Sequence, residues 1–322
     1  MGRYVLQRII QMIPILALVS VLAFGLLKSM PGDPLDRMFE NNPDFTYEDY
    51  MRLRALYGLD DPFYVAYFKW ASQVLQGNLG YSRQYRVPAQ DLILPRLQNT
   101  MVLTVTAFVF AITAALTIGI ISAVKQYSVI DYASMALTFV GSSLPGFWLG
   151  LMLIILFSVQ LHWLPPGGIM SSDVGTGFWE RFLDRGKYLV MPVFITAFDE
   201  MTSWARYTRN TLLDVLQLDY LRTARAKGLA EQTVIVRHAL KNSMLPLVTV
   251  IGNSFARFFA GAVIIETVFS YPGMGKLMFD SVMGNDFVVS MSILILLSFM
   301  VQWGNLLADI AYGWLDPRIR YD

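Results

Sequence analysis

Cysteine is absent from the 322 residues and histidine occurs only twice, as His162 and His238. Without thiols there are no disulfides, haem thiolates or cysteine-ligated metals, although the redox compartment stays open. The two histidines are expected on opposite sides of a membrane, which excludes a metal site built from both. Charge is scarce as well, with Asp, Glu, Lys and Arg making up 15% and a formal net charge of +1, so bulk attraction to nucleic acid is excluded. Catalytic motifs are also lacking. Gly273-Met274-Gly275-Lys276-Leu277 is not a phosphate-binding loop, because Ser270 stands where the first glycine is needed and Leu277 replaces the Ser or Thr. No zinc-protease helix motif occurs, and Ser142 and Ser143 have no His or Lys base at a comparable depth, so polar packing or a helix bend at Pro145 is the expected reading.

What is present is hydrophobic surface. Hydrophobic residues make up 55% and the mean hydropathy is +0.47, which places the chain among all-α integral membrane proteins. Its length leaves no room for a soluble nucleotide-binding domain, so any energy source must be another protein. Six apolar runs are long enough to cross about 30 Å of hydrocarbon as helix, near 9–27, 101–124, 133–157, 188–207, 245–269 and 288–314. The first follows Arg3 and Arg8 and is long for a signal peptide without a small-residue cleavage site, so an uncleaved span is expected. Arg3, Arg8, Lys125, Arg209, Arg222, Arg225, Lys227, Arg237, Lys241, Arg318 and Arg320 fall on one side if there are six crossings. Both termini and the connection after the fourth span are therefore expected in the cytoplasm. This divides the chain into a first span (1–30), an extracytoplasmic helical segment (31–96) and a five-span core (97–322) containing a cytoplasmic loop at 210–243.

Within the outer segment, Thr46 with Asp49 has the form of a capping box, and Gly58 is the expected stop of that helix. Asp61 as N-cap and Pro62 in the first turn predict a second helix whose Phe63, Tyr67 and Trp70 share a face and which Gly77 closes. That face is expected to dock on the spans or on a partner. Gly146 and Gly150 are spaced for a close helix contact, and Glu266 is placed to steady the following Pro-Gly turn through backbone amides.

The inward loop carries the most informative stretch, Asp219-Tyr220-Leu221-Arg222-Thr223-Ala224-Arg225-Ala226-Lys227-Gly228-Leu229. It reads as a basic helix with small residues, suited to a partner's groove, with Tyr220, Leu221 and Ala224 on one face, Arg222 and Arg225 at the rim and Gly228 as the stop. A basic helix lying on anionic lipid is the competing reading. Together with Arg237-His238-Ala239-Leu240-Lys241-Asn242, Leu245-Pro246, Glu266-Thr267-Val268-Phe269, Pro272-Gly273-Met274-Gly275 and Leu315-Asp316-Pro317-Arg318, this run resembles the permease subunits of ABC importers of the dipeptide/oligopeptide family. Upstream, Tyr57-Gly58-Leu59-Asp60, Gly77-Asn78-Leu79-Gly80-Tyr81-Ser82 and Phe147-Trp148-Leu149-Gly150 extend the similarity over nearly the whole chain.

The resemblance implies the type I importer permease architecture in a bacterial or archaeal plasma (inner) membrane. It implies a second, related permease as partner, two cytoplasmic ATPase subunits that hold ATP and Mg, and an extracytoplasmic solute-binding protein. This chain itself would bind no cofactor or metal and do no covalent chemistry. In that family the loop is a coupling helix lodged in the ATPase, so Asp219, Tyr220, Leu221, Arg222, Ala224, Arg225, Lys227 and Gly228 become the candidate coupling residues. Where the wider importer superfamily favours Glu-Ala-Ala before the glycine, this chain has Arg222-Thr223-Ala224, so a carboxylate contact is not carried over to Arg222.

Asp199 and Glu200 lie about halfway along the fourth expected span and Arg257 about halfway along the fifth. Each is a functional candidate at membrane depth. They are read either as a buried ion pair that fixes packing or as part of the solute path. An ion-coupled transporter or channel using these three charges without an ATPase is the alternative class. The resemblance implies peptide import, yet similar systems carry nickel chelates, haem or oligosaccharides, and specificity rests mainly with the binding protein.

Overall fold

The computed structural model describes residues 2–29, 46–56 and 60–315, and they are helical without a named strand. Gly58, residues 57–59 of the first upstream motif, the Leu315-Asp316-Pro317-Arg318 motif beyond Leu315 and the side chain of Arg257 lie outside what is described. The helices are α1 (Gly2–Lys28), α2 (Tyr47–Leu56), α3 (Phe63–Leu75), α4 (Ala89–Val124), α5 (Val129–Ser143), α6 (Gly146–Leu153), α7 (Phe178–Leu216), α8 (Asp219–Ala226), α9 (Leu240–Val268), α10 (Met274–Met283) and α11 (Phe287–Leu315). α6 continues as a wider π turn over Ile154–Gln160, and another π segment, Val234–Ala239, leads into α9.

α4 lies along α7, α7 against α9, α9 against α11, and α11 against α1. The closest of these approaches has a compositional cause. Ala107, Ala111, Ala115, Gly119 and Ala123 recur every fourth residue on α4 and are all buried or lie at the contact. With no hydrophobic drive inside lipid, helices associate where small residues let backbones approach. A β-carbon on Gly119 would sit 2.6 Å from Thr208 Cβ and 2.7 Å from the Ala205 carbonyl oxygen of α7. Above this ladder the core is aromatic, with Phe108, Trp204 and Phe258 in mutual edge and tilted contact at centroid distances of 5.3 to 6.0 Å.

By length and composition, three helices can cross a membrane among the described residues: Val5–Leu26, Ala89–Val124 and Phe287–Leu307. Two bent pairs bring the number to five if each is one crossing. In the third expected span the chain turns through 108° between Val129–Gly141 and Gly146–Gln160. Pro145 forces the preceding Leu144 into an extended conformation (φ −103°, ψ 132°), which is the helix bend expected at Pro145. The fourth expected span is a continuous part of α7, a 39-residue helix about 58 Å long. Asp199, Glu200 and Arg206 keep it from qualifying by apolarity. A charge of this kind facing lipid at mid-membrane costs about 2.5 to 3.5 kcal/mol. α7 therefore has to bury its polar side against protein or water.

α3 docks on α1. Phe24 of α1 meets Phe63, Tyr67 and Trp70 of α3 at 5.6 to 5.7 Å between ring centroids, and Ser20 Oγ hydrogen-bonds the Tyr67 hydroxyl at 2.8 Å. The capping box at Thr46 is formed, with Asp49 N donating to Thr46 Oγ1 and Thr46 N to Asp49 Oδ2, both at 3.2 Å. Gly77 ends α3 at φ +80°, as expected. Asp61 does not cap α3: Pro62 holds that position, while the Asp61 carboxylate receives Lys69 Nζ at 2.7 Å. A cation two turns along the helix outcompetes the terminal amides for the carboxylate.

The 77–82 motif is clamped to the N-terminal end of α11. Asp286 accepts from Ser82 Oγ at 2.5 Å and from the Gln84 amide at 3.2 Å, and also receives the Val289 amide as the helix cap. Beneath it Ala89, Ile93, Met274, Leu277, Val289 and Ile293 form a second core that joins α4, α10 and α11. Of the two glycines in the span-three motif, Gly150 lies against Phe269, where a β-carbon would stand 3.3 Å from the ring, whereas Gly146 has its nearest neighbour at 3.9 Å.

Candidate coupling site

α8 begins after an extended Leu218, with Asp219 in the first turn where an acidic side chain suits the helix dipole. It ends in a Schellman turn: the Gly228 amide donates to Arg225 O at 2.9 Å, the Leu229 amide to Ala224 O at 3.4 Å, and Gly228 takes φ +81°. Glycine is needed there for the left-handed conformation rather than for space, since a β-carbon would meet nothing within 4 Å.

The face of α8 that packs is different from the expected one. Leu221 is wholly buried and Ala224 is buried beside it, in a cluster with Ala123, Leu212, Val234 and Ala239. Residues three apart point about 300° round the helix, so Leu221 and Ala224 share the side turned to the ends of α4 and α7 and to the π segment before α9. The expectation that Tyr220, Leu221 and Ala224 form an outward face is corrected accordingly. Asp219, Tyr220, Arg222, Thr223, Arg225, Ala226, Lys227 and Gly228 are exposed. Tyr220 is held at its tip, accepting from Asn242 Nδ2 at 2.8 Å and donating to the His238 carbonyl at 3.3 Å.

Two ion pairs dress the exposed side. Arg222 reaches Asp219 one turn back at 3.1 Å, a fully solvated contact of small worth. Arg225 grips Glu231 with both Nε (3.1 Å) and Nη2 (2.9 Å), clasping the helix to the chain beyond Gly228. This guanidinium holds the Glu231 carboxyl below its ordinary pKa of 4.5. A depressed carboxylate contributes above the ordinary value and is lost as pH falls through the lowered one, so the clasp is closed at neutral pH.

One feature beneath α8 was not legible as a site. Asp131, fully buried at the start of α5, takes Arg209 of α7 in a bidentate pair, Nε to Oδ1 at 2.6 Å and Nη2 to Oδ2 at 2.7 Å. Ser122 Oγ also donates to Asp131, and the Tyr127 amide completes the shell at 2.9 Å. This hub ties the turn between α4 and α5 to α7 just before α8. The available signal was Ser128-x-x-Asp131, an N-cap spacing, with Ser128 Oγ receiving the Asp131 amide at 3.3 Å.

Asp199 is exposed and Glu200 half-buried on α7. Among the described residues no group of three or more His, Cys, Asp or Glu could hold a metal ion.

The seating of α8 sets an expected pair of outcomes. Ala224→Trp should overpack the buried cluster at a cost of about 1 to 3 kcal/mol, lowering the melting temperature of the purified protein, while Ala226→Trp on the exposed side should leave it unchanged. Equal melting of the two variants would contradict this packing.

Two family models account for the chain: the binding-protein-dependent transport system inner membrane component matches residues 115–321, and the N-terminal part of such membrane components matches residues 1–117. The chain is 39% identical over 322 residues, the full length of both, to the oligopeptide transport system permease protein AppB of Bacillus subtilis. It is 36% identical to the dipeptide transport system permease protein DppB of Escherichia coli, covering all of this chain and 99% of that one. The di/tripeptide transport system permease protein DppB of Pseudomonas aeruginosa is 36% identical, with 99% and 98% covered.

Proposed function

Because the chain belongs to the family of inner-membrane components of binding-protein-dependent transport systems, we propose that it is the permease subunit of an ATP-driven importer for peptides or a related small solute. Full-length similarity to permeases named for oligopeptides, dipeptides and di/tripeptides supports the peptide part. In this reading the chain crosses the membrane six times with both termini cytoplasmic. Residues 1–30 are the first span, 31–96 an extracytoplasmic segment, and 97–322 a five-span core with the coupling loop at 210–243. A second, related permease, two ATPase subunits carrying ATP and Mg, and an extracytoplasmic solute-binding protein complete the machine, and Asp199, Glu200 and Arg257 belong to the solute path.

The observation that carries the proposal is the mounting of α8. A short basic helix is glued by Leu221 and Ala224 to the ends of two spanning helices while Arg222, Thr223, Ala226 and Lys227 face away. A load applied to that outer face passes to α7 and to α9 together, as alternating access driven from outside the membrane requires. Ala226→Trp is expected to keep a folded permease that no longer co-purifies with the ATPases.

Because no cysteine competes, Lys227→Cys reports topology directly. It is expected to react with an impermeant thiol reagent in inside-out vesicles and not in intact cells, and the assembled transporter is expected to take up peptide in a vanadate-sensitive manner. Labelling in intact cells would invert the topology. Gradient-driven flux by this chain alone would instead establish the ion-coupled alternative.

A further inference from the structure

The inward half of α7 is two-sided. Phe198, Met201, Thr202, Trp204, Ala205 and Thr208 are buried, whereas Asp199, Ser203, Arg206 and Asn210 are exposed. At 100° per residue these four polar residues fall within about 60° of arc and extend for about 16 Å along the helix. That is about half the thickness of the hydrocarbon. Against lipid such a stripe is unfavourable at every turn, so in the assembled protein it must meet water or polar protein. Beside it lies a cleft of 330 Å³ between α4, α5 and α7, walled by Ile118, Met135 and Phe139 and bearing Ser134, Thr138 and Arg206. Arg209 at the same cleft is already committed to Asp131. Among the described residues Arg206 makes no hydrogen bond or ion pair, and no carboxylate neutralises it.

We propose that this stripe is the wall of the inward half of the solute route, and that Arg206 receives the carboxylate end of the solute as it passes toward the cytoplasm. A guanidinium offers a carboxylate two parallel N–H donors, a match that an ammonium cannot reproduce. Ser203 and Asn210, one turn to either side, supply neutral donors and acceptors that let the chain slide. The apolar walls of the cleft accept side chains without selecting among them, as a route fed by a specific binding protein needs. The assignment of Arg206 rests on the peptide-import reading, whereas that of the stripe rests on the helix alone.

Both parts are tested in the assembled transporter. Single substitutions Ser203→Cys and Asn210→Cys in the cysteine-free chain are treated with a charged thiosulfonate, with Val109→Cys on the exposed apolar side of α4 as the control. Ser203→Cys and Asn210→Cys are expected to react about tenfold faster or more than the control, and Ser203→Cys reacting no faster would overturn the aqueous stripe. Uptake of a dipeptide is then compared with uptake of its C-terminal amide. Arg206→Gln is expected to slow the free acid about tenfold or more while sparing the amide, as loss of one charge-assisted contact implies, and Arg206→Lys is expected to recover part of the difference. Equal slowing of both peptides, or of neither, would overturn the role of Arg206. If the wild-type transporter took up neither peptide, the peptide reading would fail and the Arg206 assignment with it, while Ser203 reactivity would still decide the stripe.

Discussion

Asp131→Ala is expected to lower stability by about 3 to 5 kcal/mol, the usual consequence of removing one partner of a buried ion pair. The carboxylate is fully buried, and only 14% of the Arg209 side chain is accessible, so the stranded guanidinium cannot recover much hydration. Ser122 Oγ and the Tyr127 amide would lose their acceptor as well. Asp131→Asn keeps the shape but not the charge and is expected to fall between Ala and wild type. The double variant Asp131→Leu/Arg209→Met provides the control. Replacing both members by apolar residues of similar volume is often neutral, so it should regain most of the lost stability. Thermal unfolding in detergent and yield in membranes measure both effects, and an Asp131→Ala protein as stable as wild type would contradict the hub. If uptake stays low in the stable double variant, the pair also transmits motion from α8 to the turn between α4 and α5.

The second large effect is expected at Glu266. This carboxylate is wholly buried and accepts Thr100 Oγ1 at 2.6 Å, the Gly275 amide at 2.7 Å and the Lys276 amide at 3.0 Å. Thr100 Oγ1 in turn receives the Met274 amide at 2.8 Å, and the Asn99 side-chain amide donates to Pro272 O at 2.8 Å. One side chain thus holds α4 and α9 to the first turn of α10. Glu266→Ala leaves those donors buried without an acceptor, at about 1 to 3 kcal/mol for each orphaned group, and Glu266→Gln, with one acceptor oxygen, is expected to lose less. The glycines here are dictated by contact. A β-carbon on Gly273 would collide with the Glu266 carboxylate and one on Gly275 with the Val263 backbone. Gly275→Ala is therefore expected to destabilise by about 1 to 3 kcal/mol. Wild-type thermal stability in both Glu266→Ala and Gly275→Ala would refute this account of the turn.

Much of the site could be read one residue at a time. The steadying of the Pro-Gly turn by Glu266 was legible because a carboxylate six residues before Pro272, near a turn rich in free amides, has little else to bond. The stop at Gly228, the capping box at Thr46 and the aromatic face of α3 were legible for the same reason: each depends on neighbours within a few positions. The Asp131–Arg209 pair joins residues 78 positions apart. Nothing local distinguishes Arg209 from the basic residues that follow it, such as Arg222 and Arg225.

The sequence by itself determined that this is a helical membrane protein, which family it resembles and where its basic loop and helix stops fall. Those properties are sums over composition or follow from backbone chemistry at single positions. Only the tertiary structure decided which way each helix faces. Leu221 and Ala224 turned inward because apolar side chains of α4, α7 and the approach to α9 waited on that side, Asp61 went to a lysine instead of a helix end, and Asp199, Ser203, Arg206 and Asn210 of α7 aligned into one stripe. A side chain's orientation follows from the surface it meets, and that surface is assembled from segments far apart in the chain.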